Sequence, residues 1–383
     1  QEFRNAQTNL ALRGGTNFAP GCAGCLPLPI FDRFFFGLAN ASGYTNATFI
    51  SNLTNNNVGT LANSLAFSTT YRPNRERTSF AFPNGTTLPG LPANFFVANP
   101  NAAGITWLSN DSMSNYHSLQ AEFRRRFSRG LQFQADYTFS KALTDARGAY
   151  GSQSDLTSYR TLRDPGLDYA RSNQDQTHRF TANAVYDLPF GRGRSYWSNG
   201  NRLVNRLVGG WTVGGILTWQ TRPPFFVASN RATVNQFNAA NNPVDLAGIS
   251  FEEFQRNVGL YRHSTGIYFI NPELLNIQTN AAGQFVSSTL KPGLLASPQP
   301  GSFGNFPINS LNGPSYFNID ASLVKRLAVT ERFKLELKTT FINILNHANF
   351  VYNTQNFDAT DFGRITATSG DPRVVHFTFK ATW

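Results

Sequence analysis

Cys22 and Cys25 form a C-x-x-C pair inside the run Pro20-Gly-Cys-Ala-Gly-Cys-Leu-Pro27. A structural zinc site needs two more ligands, and there is no second cysteine pair. A thioredoxin-like redox centre needs a helix N-terminus within a βαβ unit, and this Pro/Gly-rich loop offers neither. The pair therefore reads as a small loop disulfide formed in an oxidising compartment. The five histidines, His117, His178, His263, His347 and His376, are dispersed. No H-E-x-x-H, G-x-S-x-G or Walker pattern accompanies them, and Gly191-Arg-Gly193 lacks a following G-K-[ST]. The expectation is a protein that is not an enzyme, with no catalytic residues, metal site or cofactor.

The polar side chains that do follow a pattern stand at alternate positions. They are Glu122, Arg124, Arg126, Gln132, Gln134, Asp136, Asp320, Arg326, Lys334, Glu336 and Lys338. One reading is a solvated lumen wall with cross-strand charge pairs. The other is a contact surface for a plug or a passing ligand.

The elements that must carry these residues alternate strictly. Leu119, Ala121, Phe123, Arg125 and Phe127 interleave with Ser118, Gln120, Glu122, Arg124 and Arg126. After the turn Ser128-Arg129-Gly130, Leu131, Phe133, Ala135, Tyr137 and Phe139 interleave with polar residues again. This two-residue period marks a hairpin with one apolar and one polar face. Each arm is about ten residues long, the length of a tilted membrane strand. The pattern predicts strands near 115–127, 131–140, 179–188, 210–220, 315–326, 333–343 and 374–383, with a weaker one near 2–12.

The connections sort by length. Those near 128–130, 189–209 and 328–332 are comparatively short, whereas 13–114, 141–177, 221–314 and 345–373 are long. Antiparallel strands reverse direction each time, so all the long loops fall at one end. Outer-membrane barrels show this asymmetry, with short periplasmic turns and long extracellular loops. The fold class expected is all-β: an antiparallel outer-membrane β-barrel, here about eight strands of a larger one. Its C-terminus would lie on the periplasmic side. Arg125 and Lys325 interrupt apolar rows beside short turns, where long side chains can snorkel to headgroups. Short helices are expected near Thr48–Leu53 and Glu252–Val258. The loop aromatics Phe34, Phe35, Phe36, Phe95, Phe96, Phe225 and Phe226 either pack the loops together or stack on a ligand.

Composition agrees. The 383 residues include 35 Phe and 13 Tyr, yet only 14% are charged, against roughly 25% in ordinary soluble domains. No run approaches the roughly 18 apolar residues of a spanning helix, and the aromatics argue against disorder. The net charge of +11 is scattered and has no nucleic-acid motif with it. The chain starts at Gln1 without a signal peptide, and the expectation is a processed form or the later part of a longer protein.

Several phrases resemble a known family. The runs Asn115-Tyr-His-Ser-Leu-Gln-Ala-Glu-Phe-Arg-Arg-Arg-Phe127 and Gly130-Leu-Gln-Phe-Gln-Ala-Asp-Tyr-Thr-Phe-Ser-Lys141 look like the late barrel of TonB-dependent transporters. Asp187-Leu-Pro-Phe-Gly191, Gly209-Gly-Trp-Thr-Val213, Phe341-Ile-Asn-Ile-Leu-Asn346, Phe362-Gly-Arg-Ile365 and Asp371-Pro-Arg373 extend the likeness. It is most similar to the Oar-like, OmpA-related branch, whose members often carry a carboxypeptidase-regulatory-like domain. The terminal strand, with Phe377, Phe379 and Trp383, resembles the signal read by the outer-membrane insertion machinery. The resemblance implies a plug, a TonB box and ligand uptake through a 22-stranded barrel. With about eight strands and neither plug nor TonB box visible, the chain reads as the C-terminal portion of such a receptor. Its expected partners are outer-membrane lipid, the rest of the barrel and plug or other copies of the chain, and the TonB system through the missing part. The rivals are an assembly of cleaved barrel fragments and a small passive pore.

Overall fold

The computed structural model describes residues 1–36, 43–92, 94–96, 110–145, 159–161, 163–198, 201–234, 242–330 and 332–383. Parts of the three long spans 13–114, 141–177 and 221–314 lie outside these. Seven long antiparallel strands build one wall: β1 (Ser114–Ser128), β2 (Leu131–Thr144), β3 (His178–Asp187), β4 (Trp211–Gln220), β5 (Tyr316–Ala328), β6 (Lys334–Ile342) and β7 (Val374–Thr382). Each pairs with its neighbour in chain order, and the two-residue strand Ala170–Arg171 adds to the end of β2. Among the described residues the sheet is open, with β1 and β7 as its edges.

Register carries the apolar rows across the whole wall. Phe133, Ala184, Gly215, Ala321, Phe341 and Val375 are successive partners, and so are Tyr137, Phe180, Trp219 and Phe317. A slip of one residue in any strand would turn its apolar side chains to the other face. The tight β1–β2 turn is made by Arg129 at φ 51 and Gly130 at φ 84, the left-handed pair that closes a short hairpin.

Residues 2–12 are not a strand. They form helix α1 (Glu2–Leu12), which buries Phe3, Ala6, Asn9 and Leu10. Spacings of three and four put these side chains on one helical face, and tertiary packing of that face decides the conformation. Helices α2 (Pro29–Phe34), α3 (Ala47–Thr54), α4 (Val58–Phe67) and α5 (Arg72–Arg75) follow. Together they enclose a core of Phe3, Leu10, Phe18, Phe31, Phe34, Phe35, Tyr44, Phe49, Leu53, Leu61 and Leu65. The Glu2 carboxylate accepts from the backbone N–H groups of Ile30 and Phe31 (2.6 and 2.9 Å). These are first-turn donors of α2 that have no partner inside their own helix.

A second core lies in the span after β4. It joins Phe225, Phe226, Val244, Phe254, Tyr268, Ile270, Leu275 and Phe306 to Tyr352, Phe362 and Ile365 from the loop after β6. Helix α7 (Phe251–Arg256) and short hairpins such as Val258–His263 with Gly266–Ile270 frame it. The two cores are stitched together: Arg4 donates to the Pro300 carbonyl (3.1 Å), and Gly59 N–H to the Ala232 carbonyl (2.8 Å). The described parts of the segment before β1, of the span after β4 and of the loop after β6 therefore form a folded cap. The remaining helix, α6 (Arg202–Val208), lies in the connection between β3 and β4 at the opposite end.

Candidate functional site

The patterned polar residues share one face of the wall. Arg124 pairs with Gln134, Glu122 with Asp136, and Arg326 with Glu336, which in turn faces Lys380. One of these pairs is a salt bridge, Arg326 to Glu336 at 2.9 Å. Glu122 and Asp136 are carboxylates placed directly opposite each other, and Gln134 Nε2 donates to both Asp136 oxygens at 3.2 Å. Asp320 is used locally: its Oδ1 accepts from Asn318 Nδ2 (2.9 Å) and from the Asn343 backbone (2.8 Å). That contact fastens the start of the loop after β6. Gln132, Lys334 and Lys338 lie on the same face, opposite Val185, Ala328 and Val324, and Arg126 occupies the irregular end of β1. These eleven side chains thus share a face without converging on one point.

The apolar face ends in aromatic groups. Near the cap, His178 Nδ1 and the Tyr137 hydroxyl are 2.8 Å apart, and the imidazole stacks near Trp219 and Phe139. At the turn end stand Trp211 and Tyr186, with Phe379 on β7 and Trp383 closing the chain. Phe377, Phe379 and Trp383 are exposed along this edge. Apolar rows bounded by aromatics are the sequence and surface pattern of a strand wall in lipid.

Cys22 and Cys25 are bonded to each other, Cα to Cα 5.0 Å. Their loop is tied to α1 by Asn9, which is fully buried and exchanges two hydrogen bonds with the Leu26 backbone (2.7 and 2.8 Å). Of the loop aromatics, Phe34, Phe35, Phe225 and Phe226 are buried in the two cores. Phe36 packs edge-on to Phe80 and Phe82 beneath the Arg77 guanidinium, and Phe96 lies against Phe34. Phe95 stays exposed.

Sequence patterning did not single out the place where wall and cap meet. A cavity of about 490 Å³ opens there, lined by Asn173, Arg222, Phe225, Asn309, Tyr352 and Gln355 among others. Four separate chain segments converge on it. Pro223 and Pro224 stiffen the exit from β4, and Pro224–Phe225 pairs with Leu311–Asn312 just before β5. The Arg222 guanidinium lies 5.2 Å from the Tyr316 ring centroid, and its Nε and Nη2 are buried without a hydrogen-bond partner. Asn309 Nδ2 donates to Asn173 Oδ1 at 2.8 Å. Burial raises the Tyr352 hydroxyl well above its ordinary value, so it stays protonated and accepts from Gly363 N–H. An aromatic wall, amides and one cation can hold a small molecule with apolar and polar parts. Among the described residues no group of His, Cys, Asp and Glu could hold a metal ion.

A family model described as an outer membrane beta barrel domain matches residues 40–376. No curated protein and no solved structure matches the chain.

Proposed function

Because the chain belongs to the outer membrane beta barrel domain family, we propose that it is the wall and cap of a TonB-dependent receptor of the Oar-like branch, binding a ligand and passing it inward rather than catalysing a reaction. The observation that carries this reading is the arrangement of faces and ends. One face of the wall is mainly apolar across the seven strands, with Arg125 and Lys325 near its turn end, and the other is mainly polar and charged. The described parts of the segment before β1, of the span after β4 and of the loop after β6 are gathered into a folded cap at one end. In this reading the apolar face meets lipid, the polar face lines the lumen, the cap lies outside the cell and Trp383 lies on the periplasmic side. The ligand enters at the cavity beside Arg222 and Tyr352. Plug and TonB-coupling segment, and the strands that complete the wall, belong to another part of the same receptor.

The test is intact mass and N-terminal sequencing of the native protein, set beside its gene. The reading expects plug and TonB-box sequences in the same reading frame upstream. A reading frame that begins near Gln1 behind a signal peptide overturns it.

The open edges favour a second reading, in which copies of the chain complete each other's wall. Unpaired edges recruit further strands. Cysteines placed in β1 and β7 would then cross-link between chains in the membrane, whereas the receptor reading predicts no β1–β7 link between copies.

A further inference from the structure

The connection from β3 to β4 is the longest at the turn end, and it is built onto the apolar side of the rim. Lys325 and Trp211 are register partners on the apolar face. Lys325 Nζ donates to the Leu207 carbonyl at 2.8 Å and also to that of Gly209. Trp211 Nε1 donates to the same Leu207 carbonyl at 3.0 Å. Two side chains of the lipid-side rows therefore hold the C-terminal end of α6, where the unpaired carbonyls carry partial negative charge. Arg206 Nη2 donates to the Val329 carbonyl at 3.0 Å and fastens α6 to the β5–β6 turn. A side chain at Gly191 would meet the Gly209 backbone at 2.8 Å. The two ends of the connection touch, and Arg192 stands beside the end of α6.

What this segment turns outward is both apolar and basic. Val204 and Leu207, one helical turn apart, are 40% and 73% exposed, and Tyr196 and Trp197 are 60% and 63% exposed. Arg125, Arg129 and Arg192 are exposed at the same end. The carboxylates Asp187 and Glu336 are each held by an arginine, Arg194 at 3.6 Å and Arg326 at 2.9 Å. In water so much exposed apolar surface is unfavourable. At a membrane interface the same surface sits among acyl chains while the cations meet phosphates.

We propose that α6 and residues 189–198 form a phospholipid-binding foot: Trp197, Val204 and Leu207 enter the periplasmic leaflet, and Arg192 with the rim arginines Arg125 and Arg129 binds the phosphate of an anionic headgroup. This rests on the outer-membrane reading with the turns toward the periplasm. The ligand is a phospholipid, phosphatidylglycerol or a lipid of similar charge.

The test uses the full chain inserted into vesicles of phosphatidylcholine containing about 30 mol% phosphatidylglycerol, an anionic surface of the kind that attracts basic segments. Either lipid carries brominated acyl chains, and tryptophan quenching is measured for the parent chain and for Trp197→Phe. The proposal expects quenching that depends on Trp197 and is about three- to five-fold stronger per brominated phosphatidylglycerol than per phosphatidylcholine. Arg192→Gln should lower that ratio, and Arg192→Gln combined with Arg125→Gln and Arg129→Gln should bring it close to one. Leu207→Asp should weaken the quenching while leaving protease-protected strands intact. Equal quenching by both headgroups, or a preference unchanged by Arg192→Gln, overturns the foot and leaves the barrel standing. A receptor that fails to insert with all its strands present overturns both.

Discussion

Replacing Ala184 with arginine separates the two faces of the wall by energy. Ala184 stands in the row Phe133, Ala184, Gly215, Ala321, Phe341 and Val375. On the neighbouring β4, Trp211 and Trp219 bracket that row, with Gly215 midway between them. Eight residues of antiparallel strand cover about 27 Å, and a tilt of roughly 40° turns this into about 20 Å along the membrane normal. Position 184 is thus about 10 Å from either aromatic group, near the bilayer midplane. An arginine there should cost about 2–4 kcal/mol. Val185→Arg, one residue further along and on the polar face beside Gln132 and Gly214, should cost less than about 1 kcal/mol. The assay is equilibrium unfolding in guanidinium from phosphatidylcholine vesicles. Destabilisation appears as a lower midpoint at unchanged slope. Equal costs, or a larger cost at position 185, would falsify the assignment of this face to lipid.

Three further outcomes are expected. Burial raises the Glu2 and Asp32 carboxyls above their ordinary values, although backbone N–H groups and the Tyr44 hydroxyl oppose the shift. Because the folded state holds these protons more tightly, helical-core stability rises as pH falls through the raised values. Hydrogen exchange corrected for intrinsic rate should be slower at about pH 5 than at about pH 7, and the opposite trend refutes this. Arg222→Met removes two buried donors without partners and should stabilise the cap by about 1 kcal/mol in denaturant unfolding, the lower end of the cost of such groups. A loss of stability would show that the guanidinium's contact with Tyr316 dominates instead. Gly363 has φ 79, and a Cβ there would meet Leu275 Cδ1 at 2.8 Å and Ile270 Cβ at 3.1 Å. Gly363→Ala should therefore lower cap stability by about 1–3 kcal/mol, and a thermal midpoint equal to that of the parent chain would contradict this packing.

The wall was legible because its signal is local. In β4, Trp211, Val213, Gly215, Leu217 and Trp219 alternate with Thr212, Gly214, Ile216, Thr218 and Gln220 over ten consecutive residues, Ile216 being the one large apolar side chain out of phase, and the other long strands repeat the period without reference to the rest of the chain. The short cap helices expected near Thr48–Leu53 and Glu252–Val258 are present as Ala47–Thr54 and Phe251–Arg256, but the packing of the cap was not legible, for the converse reason. Tyr352, Phe362 and Ile365 complete a core begun by Phe225 and Phe226 more than a hundred residues earlier, and no window in the sequence spans that distance. The segment Glu2–Leu12 was misread because eleven residues with few apolar positions fit either period loosely. Its buried Phe3, Ala6 and Leu10 carry the helical spacing that could have corrected it. Arg222 gave no warning because a lone arginine between a strand and two prolines has no pattern of its own. Only the convergence of four segments makes it part of a cavity.

The shared core of the cap has a consequence for how the protein enters its membrane. The second core needs the span between β4 and β5 together with the loop after β6, and β5 and β6 lie between them in the chain. The strands can join one after another, since each pairs with its predecessor. The second core, however, cannot close until the chain has continued past β6 and supplied Tyr352 and Phe362. Until then the earlier span lacks the side chains that complete the cover of its aromatic residues. Once that core has closed, withdrawing β5 or β6 means opening it first. Closure of the core is thus a late step that holds these two strands in place.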